Sequence, residues 1–162
     1  MKYSLLLLLF PLSLIGQQPA GLDLHLNIPT GTLQKQSYPG LGADFYLNHL
    51  TEKGFYKFTF ASVRFMQAAE NEGEEEESQA ESYNLGGFGF GYYHGLSKDW
   101  YVGVNGYFYS LNFGGQGNDQ VINLGLAYIP SGAETKAEIG YFQSILYGRG
   151  FVGLGLGYRF EW

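Results

Sequence analysis

The sequence contains no cysteine, few charged residues and no long apolar run beyond its N-terminus. Without cysteine it has neither a disulfide framework nor a thiolate metal site. Nine Lys and Arg against fifteen Asp and Glu give a net charge of −6, and the basic residues do not cluster as nucleic-acid binding requires. The glycine-rich stretches are not followed by a helical pattern, which a nucleotide phosphate loop would need. We therefore expect no nucleic acid and no cofactor.

The N-terminus has the order of features of a secretory signal peptide. A basic residue, Lys2, precedes an apolar run from Leu5 to Ile15, and a small residue, Gly16, follows. The run is shorter than the about 20 apolar residues of a membrane-spanning helix. We predict a signal peptide at residues 1–16 and one domain at residues 17–162. Any later membrane-spanning element must consist of strands.

The remaining sequence is rich in glycine and aromatic residues, which are 18% of the chain. Eight segments alternate between an apolar or aromatic face and a glycine or polar face, as β-strands do. They cover residues 22–28, 40–50, 55–66, 83–94, 100–113, 121–129, 134–147 and 153–162. In the third segment the alternation slips by one residue at Ala61–Ser62, which predicts a β-bulge.

The segment count and the connections indicate how the strands are arranged. Connections after the second, fourth and sixth segments are tight, and those after the first and third are longer. Outer-membrane barrels have short periplasmic turns and longer external loops. We predict an all-β, eight-stranded antiparallel up-and-down transmembrane β-barrel in the outer membrane of a Gram-negative bacterium, with both termini periplasmic. The alternative is a soluble lipocalin-like barrel, whose apolar face would turn inward.

Two stretches carry a family resemblance. The hairpin at residues 91–108 is rich in aromatic residues, and the chain ends in an aromatic residue with apolar residues at alternate positions before it. The terminal positions are Leu154, Leu156, Tyr158, Phe160 and Trp162. Both stretches resemble the OmpA/OmpX-type eight-stranded outer-membrane β-barrel family. The resemblance implies that the terminal residues form the signal read by the barrel-assembly machinery, a partner during insertion into lipid.

The interior of such a barrel is just wide enough for side chains to fill it. The inward positions carry charges of both signs, and His25 lies among them. They are Asp23, Asp44, Lys57, Arg64, Lys136, Glu138, Arg159 and Glu161. Because buried charge persists only when it is paired, we predict an internal ion-pair network. A proton path or gated pore is the alternative, and a solute-conducting porin is not expected.

Two further features suggest partners outside the interior. Residues 70–81 hold seven glutamates, namely Glu70, Glu72, Glu74, Glu75, Glu76, Glu77 and Glu81. Such a run is typical of a solvated loop, and as a functional element it would bind cations or a basic partner. Outward Gly106, Ser110 and Gln143 indicate a wall that faces a protein partner, because small and polar side chains gain little from lipid.

We therefore expect a small non-catalytic outer-membrane barrel, either structural or an accessory subunit of a larger outer-membrane complex. One alternative is an autonomous surface barrel that acts through the acidic loop. Another is a lipid A-modifying enzyme with a Ser–His–acid site. His49 and His94 fall at periplasmic turns, and His25 has no serine two residues away. We predict no catalytic residue and no metal ligand.

Overall fold

A computed structural model describes residues 19–35, 37–67, 83–111 and 117–160. The predicted signal peptide, the acidic stretch 70–81, Glu161 and Trp162 lie outside these residues. Eight strands cover most of the described chain. They are β1 (Ala20–Thr30), β2 (Gly40–Thr51), β3 (Gly54–Met66), β4 (Tyr83–Gly95), β5 (Trp100–Leu111), β6 (Asn118–Tyr128), β7 (Thr135–Ser144) and β8 (Gly150–Phe160). A short 3-10 helix at Leu33–Lys35 follows β1. No helix in the described ranges is both long and apolar enough to cross a membrane.

The strands form a closed antiparallel barrel in chain order. Each strand pairs with the next, and β8 pairs with β1 from Ala20 opposite Phe160 to Thr30 opposite Gly150. Closure leaves no sheet edge with unpaired backbone groups. The predicted eight-stranded up-and-down barrel is confirmed. We call the end with the β1–β2, β3–β4, β5–β6 and β7–β8 connections the loop end, and the opposite end the turn end.

The predicted slip in the third segment is a bulge in β3. Phe45 of β2 pairs with Ala61, but the next residue of β2, Tyr46, pairs with Thr59. The pairing of β3 with β4 shifts at the same place. Residues seven apart on a regular strand lie on opposite faces. Because of the bulge, Lys57 and Arg64 both point into the barrel, where each is fully buried.

Three predicted strand boundaries were wrong by three residues, and one of them is the start of β8, which lies at Gly150 rather than at residue 153. Strand β6 begins at Asn118 rather than at residue 121, because its pairing with β5 continues to Ser110 opposite Asn118. Strand β7 ends at Ser144 rather than at residue 147. The chain turns there, with Gly148 at a φ of 63°, a left-handed conformation that favours glycine.

The two faces of the barrel wall have opposite polarity. Leucine, phenylalanine, valine and tyrosine side chains cover the outside, and Leu156 is 72% exposed. Charged and amide side chains lie inside, where Asp44 and Arg64 are 0% exposed. A soluble barrel would have its apolar residues inside, so the lipocalin-like alternative does not fit this arrangement.

Candidate functional site in the barrel interior

The interior is filled by a charged layer and two apolar clusters. The loop-end cluster consists of Leu33, Met66, Tyr83, Leu85, Tyr107, Tyr109, Leu111, Val121, Phe142 and Phe151. The turn-end cluster consists of Phe55, Tyr93, Ala127 and Ile129, with Tyr101 packed against it. Along β3, the charged residues Lys57 and Arg64 lie between Phe55 of the turn-end cluster and Met66 of the loop-end cluster. The charged layer is thus enclosed on both sides along this strand.

Two lysines and two carboxylates form one half of the charged layer. Lys57 Nζ lies 2.9 Å from Asp23 Oδ2 and 3.7 Å from Glu138 Oε2. Lys136 Nζ lies 2.7 Å from the same Asp23 oxygen and 2.9 Å from the same Glu138 oxygen. Each ammonium therefore contacts both carboxylates. This arrangement compensates four charges that strands β1, β3 and β7 bring into the interior.

The other half is a two-pronged pair between Arg64 and Asp44. Arg64 Nη1 donates to Asp44 Oδ1 at 2.7 Å, and Nη2 donates to Oδ2 at 3.0 Å. Ser62 Oγ also donates to Asp44 Oδ1, at 2.6 Å. The planar guanidinium matches the carboxylate geometry, which makes such pairs among the strongest charge-assisted hydrogen bonds. The pair fixes β2 against β3 across the bulge.

Asp44 links the two halves of the layer. Its Oδ2 lies 3.9 Å from Lys57 Nζ and 3.2 Å from Nε2 of the buried His25. Three carboxylates, of Asp23, Asp44 and Glu138, face three cations, of Lys57, Arg64 and Lys136. Their formal charges cancel when His25 is neutral. Cancellation of this kind is what allows charged groups to remain in a barrel interior.

Inward tyrosines complete the layer, although the predicted ion-pair network contained only charged residues. Tyr93 donates to Glu138 Oε1 at 2.5 Å and accepts from Asn105 at 2.8 Å. The centroid of the Tyr46 ring lies 4.6 Å from Nζ of Lys57 and 4.6 Å from Nζ of Lys136. The signal was available in the strand alternation, which places these tyrosines on the polar face. Both rings fill space in the interior, and the Tyr93 hydroxyl also forms two hydrogen bonds there.

A second buried polar cluster lies near the loop end and was also missed. Asp119 accepts from the Tyr83 hydroxyl at 2.7 Å and from Ser144 Oγ at 2.8 Å. The Arg149 guanidinium lies over the Tyr83 ring, 5.2 Å from its centre. Asp119 was not predicted to lie inside the barrel, because the predicted sixth strand began only at residue 121. An earlier strand start would have placed it on the inner face.

Arg159, which was predicted to lie in this network, does not join it. Arg159 is half-buried at the turn end, and its guanidinium donates to the Ala133 carbonyl. Among the described residues no ion pair includes Arg159. Its position at the end of the barrel explains this, since the compensating carboxylates lie deeper. Glu161 lies outside the described residues.

The charged layer is not a good metal site. Side-chain atoms of Asp23, His25 and Asp44 lie within 4.8 Å of one another, close enough to hold an ion. However, both carboxylates already contact lysine or arginine. A divalent cation would leave this buried layer with excess positive charge, which is costly away from water. The geometry favours a structural ion-pair network.

The predicted assembly signal lies on the outer wall of β8. Leu154, Leu156, Tyr158 and Phe160 are exposed at alternate positions of this strand, and Trp162 lies outside the described residues. Tyr158 and Phe160 contact each other edge to face. The Tyr158 hydroxyl donates to Glu134 at the turn end. Recognition by the assembly machinery stays a prediction.

The predicted partner-facing residues lie on β5 and β7. Gly106 pairs with Ile122, which pairs with Gln143, so Gly106 and Gln143 share one row of the wall. Ser110 lies four residues further along β5. Gln143 accepts from the Tyr141 hydroxyl at 2.8 Å and donates to the Ser144 and Arg149 carbonyls. These bonds satisfy its amide without a partner.

The Asp99 carboxyl group, in a turn at the turn end, has a shifted pKa. Asp99 lies in the β4–β5 turn and accepts from the Ser131 hydroxyl at 2.8 Å and from the Ser131 backbone N–H at 2.9 Å. Both hydrogen bonds stabilise the carboxylate, so they hold the pKa of Asp99 below its usual value. The contact joins the β4–β5 turn to the β6–β7 turn.

The comparisons with known proteins support the fold. No protein-family model matches the chain, and no curated protein is significantly similar to it in sequence. The chain is similar to a solved structure described as de novo design of transmembrane beta-barrels, with a TM-score of 0.53 and 13% sequence identity. The match covers 90% of this chain and 96% of that chain. The chain is thus an eight-stranded antiparallel barrel that resembles a designed transmembrane barrel. Membership of the OmpA/OmpX family stays a prediction.

Proposed function

We propose that the protein is a small non-catalytic β-barrel of the outer membrane of a Gram-negative bacterium, with a structural role. The observation that carries this proposal is the polarity of the wall, which is apolar outside and charged inside. An apolar exterior is favourable in lipid, whereas exposing the same side chains to water would cost free energy. We further propose that the turn end and both termini face the periplasm, and that the chain is an OmpA/OmpX-like barrel.

The same structure supports a barrel that does not conduct solutes. Phe142 and Phe151 stack at a centroid distance of 4.7 Å in the loop-end cluster. Phe55 and Tyr93 stack at 4.9 Å in the turn-end cluster. Between them, the charged groups contact one another rather than line an open channel. Membership in a larger complex and cation binding by the acidic loop stay predictions.

The substitution Leu156→Arg tests the membrane location. Leu156 is the most exposed of the large apolar wall residues described, and a charged side chain on the lipid face costs about 2–4 kcal/mol near the bilayer midplane. We expect Leu156→Arg to lower the free energy of unfolding in vesicles by about this amount. Urea titration of the barrel folded into vesicles measures it. Ser97→Arg, in the exposed β4–β5 turn, is the control and should have little effect.

Two outcomes would count against the proposal. If Leu156→Arg were as stable in vesicles as the wild type, lipid would not contact this wall. If the purified barrel gave stepwise conductance in planar bilayers, the interior would be a pore rather than a packed network. A stoichiometric second protein that stays bound after mild detergent extraction, seen by native mass spectrometry, would support the accessory-subunit prediction.

A further inference from the structure

The turn end of the barrel carries a recess that contact with lipid does not explain. It has a volume of about 690 Å³ and lies between the β2–β3 turn and the β4–β5 turn. Its described lining comes from two segments, residues 50–55 and residues 94–101. The Gly95 backbone N–H donates to the Lys53 carbonyl at 2.7 Å, so the two turns are held side by side.

The floor of this recess belongs to the turn-end cluster. Phe55 and Tyr101 line it, and their ring centroids lie 5.4 Å apart. Leu50 pairs with Phe55 across β2 and β3, and directly paired residues lie on the same face of a sheet. Because Phe55 is buried inside the barrel, Leu50 points over the barrel mouth rather than toward the lipid-facing wall.

Two leucines form the apolar sides of the recess. Leu50 is 61% exposed, and Leu96, in the β4–β5 turn, is 62% exposed. Lipid explains exposure of this size on the wall, but the recess lies at the barrel mouth. Contiguous apolar side chains that remain exposed away from lipid mark an interaction site. The recess is therefore a surface for a partner on the aqueous side of the turn end.

Charged side chains lie at the rim of the recess. Lys53 and Lys98 line it together with Glu52, and among the described residues no ion pair includes any of the three. Asp99 follows Lys98 in the chain, but it does not line the recess, and its carboxylate accepts from Ser131. Lysines thus outnumber carboxylates at the rim, which favours a partner with acidic groups.

We propose that this recess binds a peptide segment of a periplasmic protein, in which a large apolar side chain is flanked by acidic residues. The apolar side chain packs between Leu50 and Leu96 above the Tyr101 ring, and the acidic residues face the two rim lysines. The inference rests on the proposed orientation, which places the turn end in the periplasm. A lipid does not fit this position, because the recess opens over the barrel mouth.

The binding of synthetic peptides to the full-length barrel in lipid nanodiscs tests this proposal, since nanodiscs leave both ends accessible. The probes are three fluorescent peptides: one with a phenylalanine between two aspartates, one with lysines in place of the aspartates, and one with alanine in place of the phenylalanine. We expect the wild type to bind the first peptide most tightly in fluorescence anisotropy. The alanine peptide should bind roughly tenfold more weakly, because a buried aromatic anchor dominates such contacts.

Charge variants at the rim have expected effects of opposite sign. K53Q/K98Q should weaken binding of the acidic phenylalanine peptide by about 1.5- to 5-fold for each lysine, whereas Glu52→Gln should tighten it. Lys35→Gln, an exposed lysine at the loop end, is the matched control and should leave binding unchanged. Leu96→Ser should reduce the advantage of the phenylalanine peptide over the alanine peptide. Insertion into vesicles is measured for each variant first.

Each result bears on a different statement. Failure of the wild type to insert into vesicles would contradict the membrane location itself. Binding of the acidic peptide to the turn end on intact cells would contradict the periplasmic orientation, because only the external face is accessible there. Equal affinity for the three peptides, or equal effects of K53Q/K98Q and Lys35→Gln, would overturn the recess assignment alone.

Discussion

Strand β5 has an inward glycine, Gly103, and an outward glycine, Gly106, only three residues apart. A Cβ atom on Gly103 would lie 2.5 Å from the ring of Tyr93, whereas on Gly106 its nearest neighbour would be 4.0 Å away. Neither glycine has a left-handed φ. The inner glycine is there because the narrow interior has no space, and the outer glycine leaves open space. The two faces of one strand thus follow different constraints.

The same contrast separates Asp44 from its neighbour Phe45. Asp44 is 0% exposed, and its carboxylate contacts Arg64, Ser62 and Lys57. A residue at this position must therefore supply a negative charge at the same place. Phe45 is 45% exposed on the outer wall, where any apolar side chain of similar size would serve. The interior therefore specifies individual residues, and the exterior specifies only a class of residue.

The largest expected effect comes from breaking the interior at Asp44. Asp44→Leu removes the carboxylate that compensates Arg64 and leaves a buried, unpaired guanidinium. Breaking a buried ion pair in this way typically costs about 3–5 kcal/mol. We expect Asp44→Leu to lower the free energy of unfolding in vesicles by about this amount, measured by urea titration.

Two controls sharpen this result. Phe45→Leu, one residue away but on the outer wall, should change the free energy of unfolding by less than about 1.5 kcal/mol. The paired replacement D44L/R64M should recover most of the loss, because it removes both charges together. If the paired variant were no better than Asp44→Leu, the cost would come from lost packing rather than from unpaired charge.

Gly103 and Gly106 of β5 test the difference between interior and exterior without changing a charged residue. We expect Gly103→Ala to destabilise the barrel by about 1–3 kcal/mol, because overpacking forces neighbours to move. Tyr93 cannot easily give way, since its hydroxyl contacts both Glu138 and Asn105. Gly106→Ala should be close to neutral in the same urea titration. Equal effects at both positions would show that the interior can adjust, contrary to this interpretation.

The sequence was sufficient to predict the fold because polarity alternates along every strand. The bulge was also visible, since Lys57 and Arg64 share a face only if one residue is extra. The same alternation assigned Asp23, Asp44 and Glu138 to the interior. The alternation, the bulge and the inward positions each depend only on neighbouring residues within one strand. They can therefore be predicted from the sequence alone.

Which charges meet could not be predicted in the same way. The contact of Lys136 with Asp23 depends on the register between β7, β8 and β1, which no single segment contains. Arg159 has the correct face but lies at the end of its strand, away from the network. Asp119 was missed because turn residues obscured the start of β6. Strand ends and strand registers depend on the closed barrel rather than on local pattern.

The smallest expected effect lies in the turns that close the turn end, where Asp99 and Ser131 are outside both the lipid-facing wall and the packed interior. The depressed pKa of Asp99 means that its hydrogen bonds to Ser131 stabilise the folded state above the ordinary value of 3.8, and that this contribution is lost as pH falls below it. Ser131→Ala removes the hydroxyl but keeps the backbone donor, so we expect a slightly lower melting temperature at neutral pH. The difference from the wild type should shrink as Asp99 becomes protonated, since the neutral acid gains less from the hydroxyl. Circular dichroism melts of both proteins across this acidic range measure the difference in melting temperature. Acid lowers the stability of the interior equally in both proteins, so this effect cancels in the difference. A difference that did not change with pH would mean that the serine acts through turn geometry instead of through the carboxylate.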